Sequence, residues 1–303
     1  MEVIRTKNLT KSFGDVLAVD DVSLNVEEGE IYGFLGLNGA GKTTTIRLLL
    51  GMIKQNSGSK KLFGKKIDRS TSVWNDVGYL VETPHSYPDL TVTENLELIR
   101  RYRKLPDSKP VNEIILKLNL TEYKNRKARH LSLGNNQRLG LAKALIHNPK
   151  LLILDEPING LDPAGIVEIR ELLTDLAHNH NTTIFLSSHI LSEISKLAAR
   201  IGIVHKGKLI KELAADQLES QIIKKLIVGA NDNNAAYSFL KEHGINVHLN
   251  NSELLEITDQ KFLKQPELIS VMLVNANLPP AKLNIVEEDL ETYFLRIIRE
   301  EAG

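Results

Sequence analysis

A short glycine-rich segment limits the folds open to this chain more than any other part of its sequence. The segment, GLNGAGKT at residues 36–43, matches the phosphate-binding pattern G-x-x-x-x-G-K-[ST]. It follows the apolar run Ile31–Leu35, which predicts a buried strand, and it precedes residues 42–50, whose apolar side chains recur at helical spacing. A strand, a glycine-rich turn and a helix in this order predict an α/β fold with a phosphate site at the turn.

The chemistry of phosphate binding explains why these residue types stand at this spacing. Glycines let backbone N–H groups converge on phosphate oxygens, and the N-terminus of the following helix adds positive potential. Lys42 is predicted to neutralise the β- and γ-phosphates of ATP, and the Thr43 hydroxyl to ligate Mg²⁺. A chance glycine-rich turn is the alternative, and the flanking strand and helix argue against it. The residues predicted to bind the nucleotide here are Gly36, Leu37, Asn38, Gly39, Ala40, Gly41, Lys42, Thr43 and Thr44.

Two neighbouring carboxylates end a second apolar run. Residues 151–154 are all apolar, and Asp155 and Glu156 follow them directly. Because alternate strand residues point to opposite faces, the two carboxylates are expected to have different tasks. Asp155 suits Mg²⁺, and Glu156 suits a general base that polarises an attacking water. A charged strand end without function is the alternative, and the glycine-rich segment elsewhere in the chain favours the functional interpretation.

Composition narrows the class of protein. The chain has 303 residues, of which 42% are hydrophobic, enough for one large domain or a domain with a smaller companion. Lys and Arg number 38, as do Asp and Glu, so zero net charge argues against nucleic-acid binding through bulk electrostatics. The absence of cysteine excludes disulfides. We expect no signal peptide and no membrane-spanning helix, since no apolar run reaches about 18 residues.

The order of predicted elements suggests two domains. Strands alternate with helices through most of the chain, which predicts a mostly parallel, covered sheet, and residues 91–147 are predicted to be a helical subdomain inserted into it. From about residue 221 the order becomes β-α-β-β-α-β with one extra helix, which predicts a small α+β module of ferredoxin-like type. The predicted domains are therefore residues 1–218 and residues 219–303.

A third segment separates this chain from other phosphate-loop proteins. Residues 131–135, LSLGN, are followed by Gln137 and Arg138 and by a predicted helix, and they resemble the signature of the ABC ATPase family. Ser132, Gly134 and the helix N-terminus would form a second anion site. In the family that site touches the γ-phosphate bound by the opposite subunit, so the resemblance implies a head-to-tail homodimer held by two ATP molecules. An ordinary serine cap is the alternative for Ser132 alone.

Other family elements follow in register over residues 1–215. Residues 159–163, NGLDP, resemble the loop that crosses the dimer interface. His189 ends the run Ser-Ser-His and resembles the switch histidine, so the resemblance adds it to Glu156 as a catalytic residue. Phe13 resembles the aromatic residue that stacks on adenine, although an isolated phenylalanine is more often part of a core.

The chain also departs from the family pattern. Glu82 stands where the family has a glutamine, and a carboxylate there can still coordinate Mg²⁺ but adds negative charge beside the phosphates. Leu133 and Asn135 replace the usual Gly and Gln of the signature, and Leu37 replaces a common Pro. None of these changes removes a group that the chemistry needs. The predicted metal-binding residues are Thr43, Glu82 and Asp155.

The Glu82 loop, the run GFLGLNG at residues 33–39 and the C-terminal module are similar to the bacitracin-resistance and lantibiotic-immunity branch of ABC exporters. This resemblance implies an ATP-hydrolysing subunit that works as a homodimer with permease proteins at the cytoplasmic face of the membrane. The expected task is export of an antimicrobial peptide or drug. The alternatives are a nucleotide-sensing subunit with little catalysis, an ABC ATPase that acts on DNA or ribosomes, and uptake instead of export.

Overall fold

The structure is a computed structural model that describes residues 1–67, 72–82 and 84–302. The chain divides into two compact units, Met1–Asp216 and Gln217–Glu301, called here the first unit and the second unit.

The first unit contains two sheets and the helices that surround them. Its strands are β1 (Glu2–Phe13), β2 (Val16–Val22), β3 (Asn25–Glu27), β4 (Ile31–Leu35), β5 (Ser57–Leu62), β6 (Lys65–Lys66), β7 (Val77–Leu80), β8 (Leu151–Asp155), β9 (Thr183–Ser188), β10 (Arg200–His205) and β11 (Lys208–Ala214). Its helices are α1 (Lys42–Leu49), α2 (Val92–Tyr102), α3 (Lys109–Lys117), α4 (Leu133–Leu145), α5 (Pro163–His180) and α6 (Leu191–Ile194).

The larger sheet confirms the predicted α/β fold. Its strand order is β11-β10-β4-β9-β8-β7, and every neighbouring pair is parallel except β10 with the edge strand β11. Every residue of β4, β8 and β9 is buried. A strand covered on both faces buries side chains at successive positions, which is why β8 begins with four consecutive apolar residues and β9 has three, at residues 184–186. The second sheet has the order β2-β1-β5-β6, with β3 also paired to β1.

The parallel pairing sets where the loops meet. In the register of β4 with β9, Leu35 lies opposite Ser188, and in the register of β8 with β9, Asp155 lies opposite Ser187. The carboxyl ends of β4, β9 and β8 therefore stand side by side at one edge of the sheet. Ligands of open parallel sheets bind at this edge.

Helices α2, α3 and α4 form within residues 91–147. A capping box starts α2: the Thr91 hydroxyl accepts from the Glu94 N–H at 3.2 Å, and the Glu94 carboxylate accepts from the Thr91 N–H at 2.7 Å. The hydrogen bonds that the N–H and the hydroxyl of Thr91 donate to this carboxylate lower the pKa of Glu94. The N–H groups of Thr91 and Glu94, which have no acceptor within the helix, are thereby satisfied.

The second unit has its own four-stranded antiparallel sheet in the order β13-β14-β12-β15. The strands are β12 (Lys224–Ala230), β13 (Val247–Leu249), β14 (Leu255–Ile257) and β15 (Pro280–Glu287). The helices are α7 (Leu218–Gln221), α8 (Asn233–Glu242), α9 (Gln260–Lys264), α10 (Glu267–Asn275) and α11 (Leu290–Ala302). The small α+β module is confirmed, with one difference. Two helices, α9 and α10, join β14 to β15 where one was predicted, because Pro266 follows α9 and starts a new helix.

We predict that the core of the second unit depends on α10. Leu273 is fully buried in the hydrophobic cluster of this unit, whereas Val271 on the same helix is 56% exposed. Leu273→Ala should cost about 2–5 kcal/mol because it leaves a cavity, and Val271→Ala should change stability by about 0.5 kcal/mol or less. Hydrogen exchange of the β12 amides measures the stability of the second unit in both variants. Equal loss of protection in the two would contradict this account of the core.

Candidate active site

The predicted phosphate loop lies between β4 and α1. The structure places residues 36–44 in this loop and in the first turn of α1. Gly36 donates its N–H to the carbonyl of Ser188 at 3.1 Å, which ties the loop to the end of β9. Gly41 has a φ of 104°, and a Cβ at this position would lie 2.4 Å from the carbonyl oxygen of Ala18. No side chain caps α1, so the amides of its first turn are available to an anion.

Lys42 is buried and bends back over its own loop. Its Nζ donates to the carbonyl of Gly36 at 2.7 Å and lies 3.2 Å from Oε1 of Glu156. The ammonium is therefore held by a fixed carbonyl on one side and by a carboxylate on the other. A buried cation with this short list of partners can exchange its carboxylate for a phosphate oxygen.

Asp155 and Thr43 are direct neighbours, as a shared metal site requires. The Thr43 hydroxyl donates to Oδ2 of Asp155 at 2.7 Å, and the Ser187 hydroxyl donates to Oδ1 at 2.5 Å. Ser187 also accepts from the N–H of Glu156 at 3.1 Å. One serine on the neighbouring strand thus orients Asp155 and the backbone of Glu156 together. Ser187 was noted in the sequence only as part of the run that leads to His189.

The structure corrects the reason given for the different tasks of the two carboxylates. Strand β8 ends at Asp155, so the alternation of strand side chains does not extend to Glu156. Instead Glu156 has a left-handed backbone with a φ of 49°, which is uncommon outside glycine and costs about 1–3 kcal/mol. This turn sends its carboxylate to Lys42, and to His189 at 2.9 Å from Oε2 to Nδ1. The left-handed backbone of Glu156, and not the alternation of side chains along a strand, directs the two carboxylates to different partners.

His189 directly follows β9. Its Nδ1 lies 2.9 Å from Oε2 of Glu156, and because a carboxylate only accepts hydrogen bonds, Nδ1 is the donor of this contact. The side chain is partly exposed at the open edge of the site. The structure therefore brings Glu156 and His189, the two predicted catalytic residues, into direct contact.

Gln137 is a residue of this site that sequence reasoning missed. Its buried side chain lies on α4 and donates from Nε2 to the carbonyls of Glu156 at 3.2 Å and Pro157 at 2.9 Å. These bonds hold the strained turn that aims Glu156. The only sequence signal was its place after the signature, because nothing in the sequence says which carbonyls an interior glutamine will meet.

The signature residues form a separate surface. Ser132 is the N-cap of α4, and its hydroxyl accepts from the Asn135 N–H at 3.2 Å, as an ordinary cap does. Gly134 lies against the carbonyl of Gly160, and both line an open cavity of about 790 Å³ with the exposed Leu133. The structure thus brings the signature together with the predicted interface loop at residues 159–163, of which Gly160, Leu161 and Asp162 line the cavity.

Phe13 is half exposed at the end of β1. The Lys11 ammonium lies 4.9 Å from the centre of its ring, and the exposed Val16 stands opposite it in the pairing of β1 with β2. Ala18 of the same hairpin is the residue whose carbonyl packs against Gly41. The structure therefore places an exposed aromatic ring on a hairpin that contacts the phosphate loop, as an adenine-stacking residue would need.

Glu82 has a different partner from the other predicted metal ligands. Its Oε1 accepts from Nη2 of Arg47 at 2.5 Å. Within the part of the chain that the structure describes, no cluster of three or more His, Cys, Asp or Glu side chains could hold a metal ion. Thr43 and Asp155 nevertheless fit Mg²⁺, which keeps several waters and binds through one or two carboxylates together with phosphate oxygens.

A groove of about 440 Å³ lies beside Glu82. Three exposed tyrosines line it, and we call it the tyrosine groove; these residues are Tyr79, Tyr87 and Tyr102. Lys143 also lines it and donates to the carbonyl of His85 and to the Ser86 hydroxyl, both at 2.8 Å. Burial lowers the pKa of Lys143 to about 8. An apolar groove with exposed tyrosines and a partly desolvated amine suits a protein partner.

Comparison with known proteins points to one family. A sequence model of the family described as "ABC transporter" matches residues 19–159. The bacitracin transport ATP-binding protein BcrA of Bacillus licheniformis is 39% identical over 300 residues, which cover 98% of this chain and 97% of the relative. The lantibiotic transport ATP-binding protein SrtF of Streptococcus pyogenes is 37% identical over 218 residues, which cover 72% of this chain and 93% of the relative.

Solved structures agree with these sequence matches. A structure described as the ATP-binding subunit of an ABC transporter has a TM-score of 0.66 at 27% identity, covering 72% of this chain and 92% of that one. A dimeric ATP-binding cassette in a post-hydrolysis state, bound to ADP and Pi, has a TM-score of 0.66 at 25% identity. That match covers 70% of this chain and 98% of the other.

We predict that the phosphate loop tolerates alanine at one glycine and not at another. Gly39 and Gly41 both have positive φ, but a Cβ at Gly39 meets nothing within 4 Å. Gly39→Ala should cost about 1–2 kcal/mol, from the left-handed backbone alone. Gly41→Ala adds a collision with a backbone oxygen and should cost about 2 kcal/mol more. Urea unfolding, monitored by the fluorescence of Trp74, compares the stabilities of the two variants. Equal unfolding midpoints would contradict the loop geometry described above.

Proposed function

This chain belongs to the family of ABC transporter ATP-binding proteins and is an ATPase, and on that premise we propose that it drives export of an antimicrobial peptide or drug of bacitracin or lantibiotic type. The observation that carries the proposal is the convergence of Lys42, Glu156 and His189 at the edge of the sheet. The choice of cargo rests on the names of relatives that match 98% and 72% of the chain. As part of this proposal, residues 1–218 are the ATPase domain, with its helical subdomain at about 91–147, and residues 219–303 are an accessory domain.

Each residue of the phosphate loop has a task in this proposal. The loop amides at residues 36–44 and Lys42 bind the phosphates of ATP, and Phe13 stacks on the adenine. Thr43, Asp155 and Glu82 would hold Mg²⁺, which would neutralise charge on the β- and γ-phosphates. The hydrogen bond from Thr43 to Asp155 supports the first two as ligands of one ion.

Glu156 and His189 are the proposed catalytic residues. Both oxygens of Glu156 have a partner: Oε1 lies 3.2 Å from Nζ of Lys42, and Oε2 lies 2.9 Å from Nδ1 of His189. A polyphosphate competes for Lys42 because it carries more negative charge than one carboxylate. Loss of Lys42 leaves Oε1 free to accept a proton from the attacking water, while His189 keeps Oε2 in place. In this proposal the general base stands between the lysine that binds phosphate and the histidine that holds its second oxygen.

The signature residues are proposed to act on the opposite subunit. Ser132 and Gly134 stand at the N-terminus of α4, where backbone amides and the helix dipole favour an anion. Two ATP molecules would then join two chains head to tail, and hydrolysis would let them separate. A ligand that binds well only to the closed dimer shifts the population toward it. The dimeric form of a related cassette supports this arrangement.

The proposed partner is a transmembrane permease, because ATP-binding subunits of this family work with permeases. In the described ranges, no helix is long and apolar enough to cross a membrane. The segment from Glu82 to Asn95 would contact the permease at the cytoplasmic face of the membrane, and Glu82, His85 and Tyr87 of this segment line the tyrosine groove. No nucleic-acid partner is proposed, because the net charge is zero.

One observation favours a second candidate, a nucleotide-sensing subunit with little catalysis of its own. Glu82 adds a carboxylate near the phosphates in place of a neutral amide, and such a charge disfavours further negative charge in the transition state. The intact pairing of Glu156 with His189 favours catalysis. The measured turnover decides between the two.

We expect Glu156→Gln to abolish hydrolysis while ATP binding is retained. The amide keeps the shape of the side chain but accepts no proton, so kcat should fall about 10²–10⁴-fold. Size-exclusion chromatography in ATP and Mg²⁺ should show a dimer that persists. Glu171→Gln, an exposed carboxylate on α5, is the matched control and should hydrolyse ATP at the wild-type rate. Undiminished turnover in Glu156→Gln would refute the catalytic assignment, and negligible turnover in the wild-type chain with its permease would favour the sensing subunit.

The tyrosine groove gives a separate prediction about the partner. Tyr87→Ser should weaken binding to permease-containing membranes about tenfold, because exposed tyrosines are frequent anchors of interfaces. ATP binding by the isolated chain should not change. Leu116→Ser is the control, since Leu116 is an exposed apolar residue of α3 outside the groove. Co-sedimentation with permease-containing membranes measures the binding of both variants. Equal membrane binding of Tyr87→Ser and Leu116→Ser would argue against docking at this groove.

A further inference from the structure

We propose that Arg47 is a positioning residue that neutralises Glu82, so that a carboxylate can stand beside the phosphate-binding helix. The proposal rests on the proposed function, because it concerns the ATP site described above. It explains how this chain carries an acidic residue at a position that the family fills with a neutral amide. The interaction joins α1 to the loop after β7.

The pair has the geometry of a specific contact. Nη2 of Arg47 lies 2.5 Å from Oε1 of Glu82, with the two side chains 39% and 48% exposed. Glu82 has a left-handed backbone with a φ of 58°. A non-glycine residue keeps this conformation only where its surroundings compensate for the strain. A charge-assisted hydrogen bond to Arg47 is a contact that supplies such compensation.

Helix geometry places the pair next to the phosphate site. Arg47 follows Thr43 by four residues in α1, so their side chains share one face of the helix about 6 Å apart along its axis. Thr43 contacts Asp155 at the end of β8. Strand β7 pairs with β8, with Leu80 opposite Leu154, so Glu82 leaves the sheet at the edge where Asp155 stands. Two independent features therefore put the Glu82 carboxylate near the predicted metal and phosphates.

Electrostatics then makes Arg47 necessary. A carboxylate that lies closer to a polyphosphate than the Debye length, about 8 Å at physiological salt, repels it with only partial screening. The ion pair of Arg47 and Glu82 has no net charge and therefore does not repel the phosphates as an unpaired carboxylate would. The pair thereby replaces the neutral amide electrostatically.

The test is equilibrium binding of ATP to the full chain, measured by calorimetry with EDTA and again with Mg²⁺. Arg47→Met should weaken metal-free binding about five- to tenfold, because Glu82 is then unpaired. Mg²⁺ should reduce the difference by neutralising the phosphates. The double variant Arg47→Met with Glu82→Gln should return metal-free affinity to within about twofold of wild type. Arg47→Lys keeps the charge and should bind like wild type.

Arg5→Met provides the matched control. Arg5 forms an ion pair with Glu2 at 2.8 Å, and the two side chains are 43% and 38% exposed, close to the values for Arg47 and Glu82. Loss of this surface pair should leave ATP affinity unchanged. Thermal unfolding of each variant shows that the fold is retained.

Two results would overturn the inference. Unchanged metal-free affinity in Arg47→Met would mean that Glu82 needs no counter-ion. Weak binding that the second substitution fails to rescue would mean that Arg47 supports the structure of α1 and nothing more. Either result leaves the proposed function intact, because the wild-type chain still binds ATP. A wild-type chain that binds no ATP would overturn the proposed function and this inference together.

Discussion

The parallel pairing of β4, β9 and β8 is the constraint on which the active site depends. Parallel strands present their carboxyl ends at one edge, so the phosphate loop, Asp155 and His189 arrive at the same place from distant parts of the chain. The pairing requires strands that are apolar on both faces, and it leaves polar residues only where the strands end. Fold and chemistry are therefore two results of one hydrogen-bonding pattern.

Supporting hydrogen bonds from neighbouring side chains hold Asp155 and Glu156 at this edge of the sheet. Ser187 orients Asp155 and the backbone of Glu156, and Gln137 binds the carbonyls of the turn that follows. Such supporting bonds are what keep a catalytic side chain within a fraction of an ångström of its working position. Because Gln137 lies on the helix that the signature begins, it links the proposed interface with the opposite subunit to Glu156, the proposed base of its own subunit. Movement of α4 would reach Glu156 through these two hydrogen bonds.

The pair of Arg47 and Glu82 makes a corresponding link on the other side of the site. Both residues line the tyrosine groove, and Arg47 belongs to the helix that begins at the phosphate loop. A partner seated in the groove would therefore contact the same ion pair that adjusts the charge beside the phosphates. Coupling between a membrane partner and the nucleotide requires such a shared element, whose energy both ligands change.

The sequence by itself determined the elements and the chemical groups. Apolar runs predicted the buried strands, the spacing of glycines and Lys42 predicted the phosphate loop, and the order of elements predicted the α+β module. Only the tertiary structure decided how Glu156 is aimed, which carbonyls Gln137 holds and which cation faces Glu82. Local patterns follow from backbone geometry, which neighbouring residues dictate. Contacts such as that of Arg47 with Glu82 join positions far apart in the chain, and they exist only after packing has set the distance between α1 and β7.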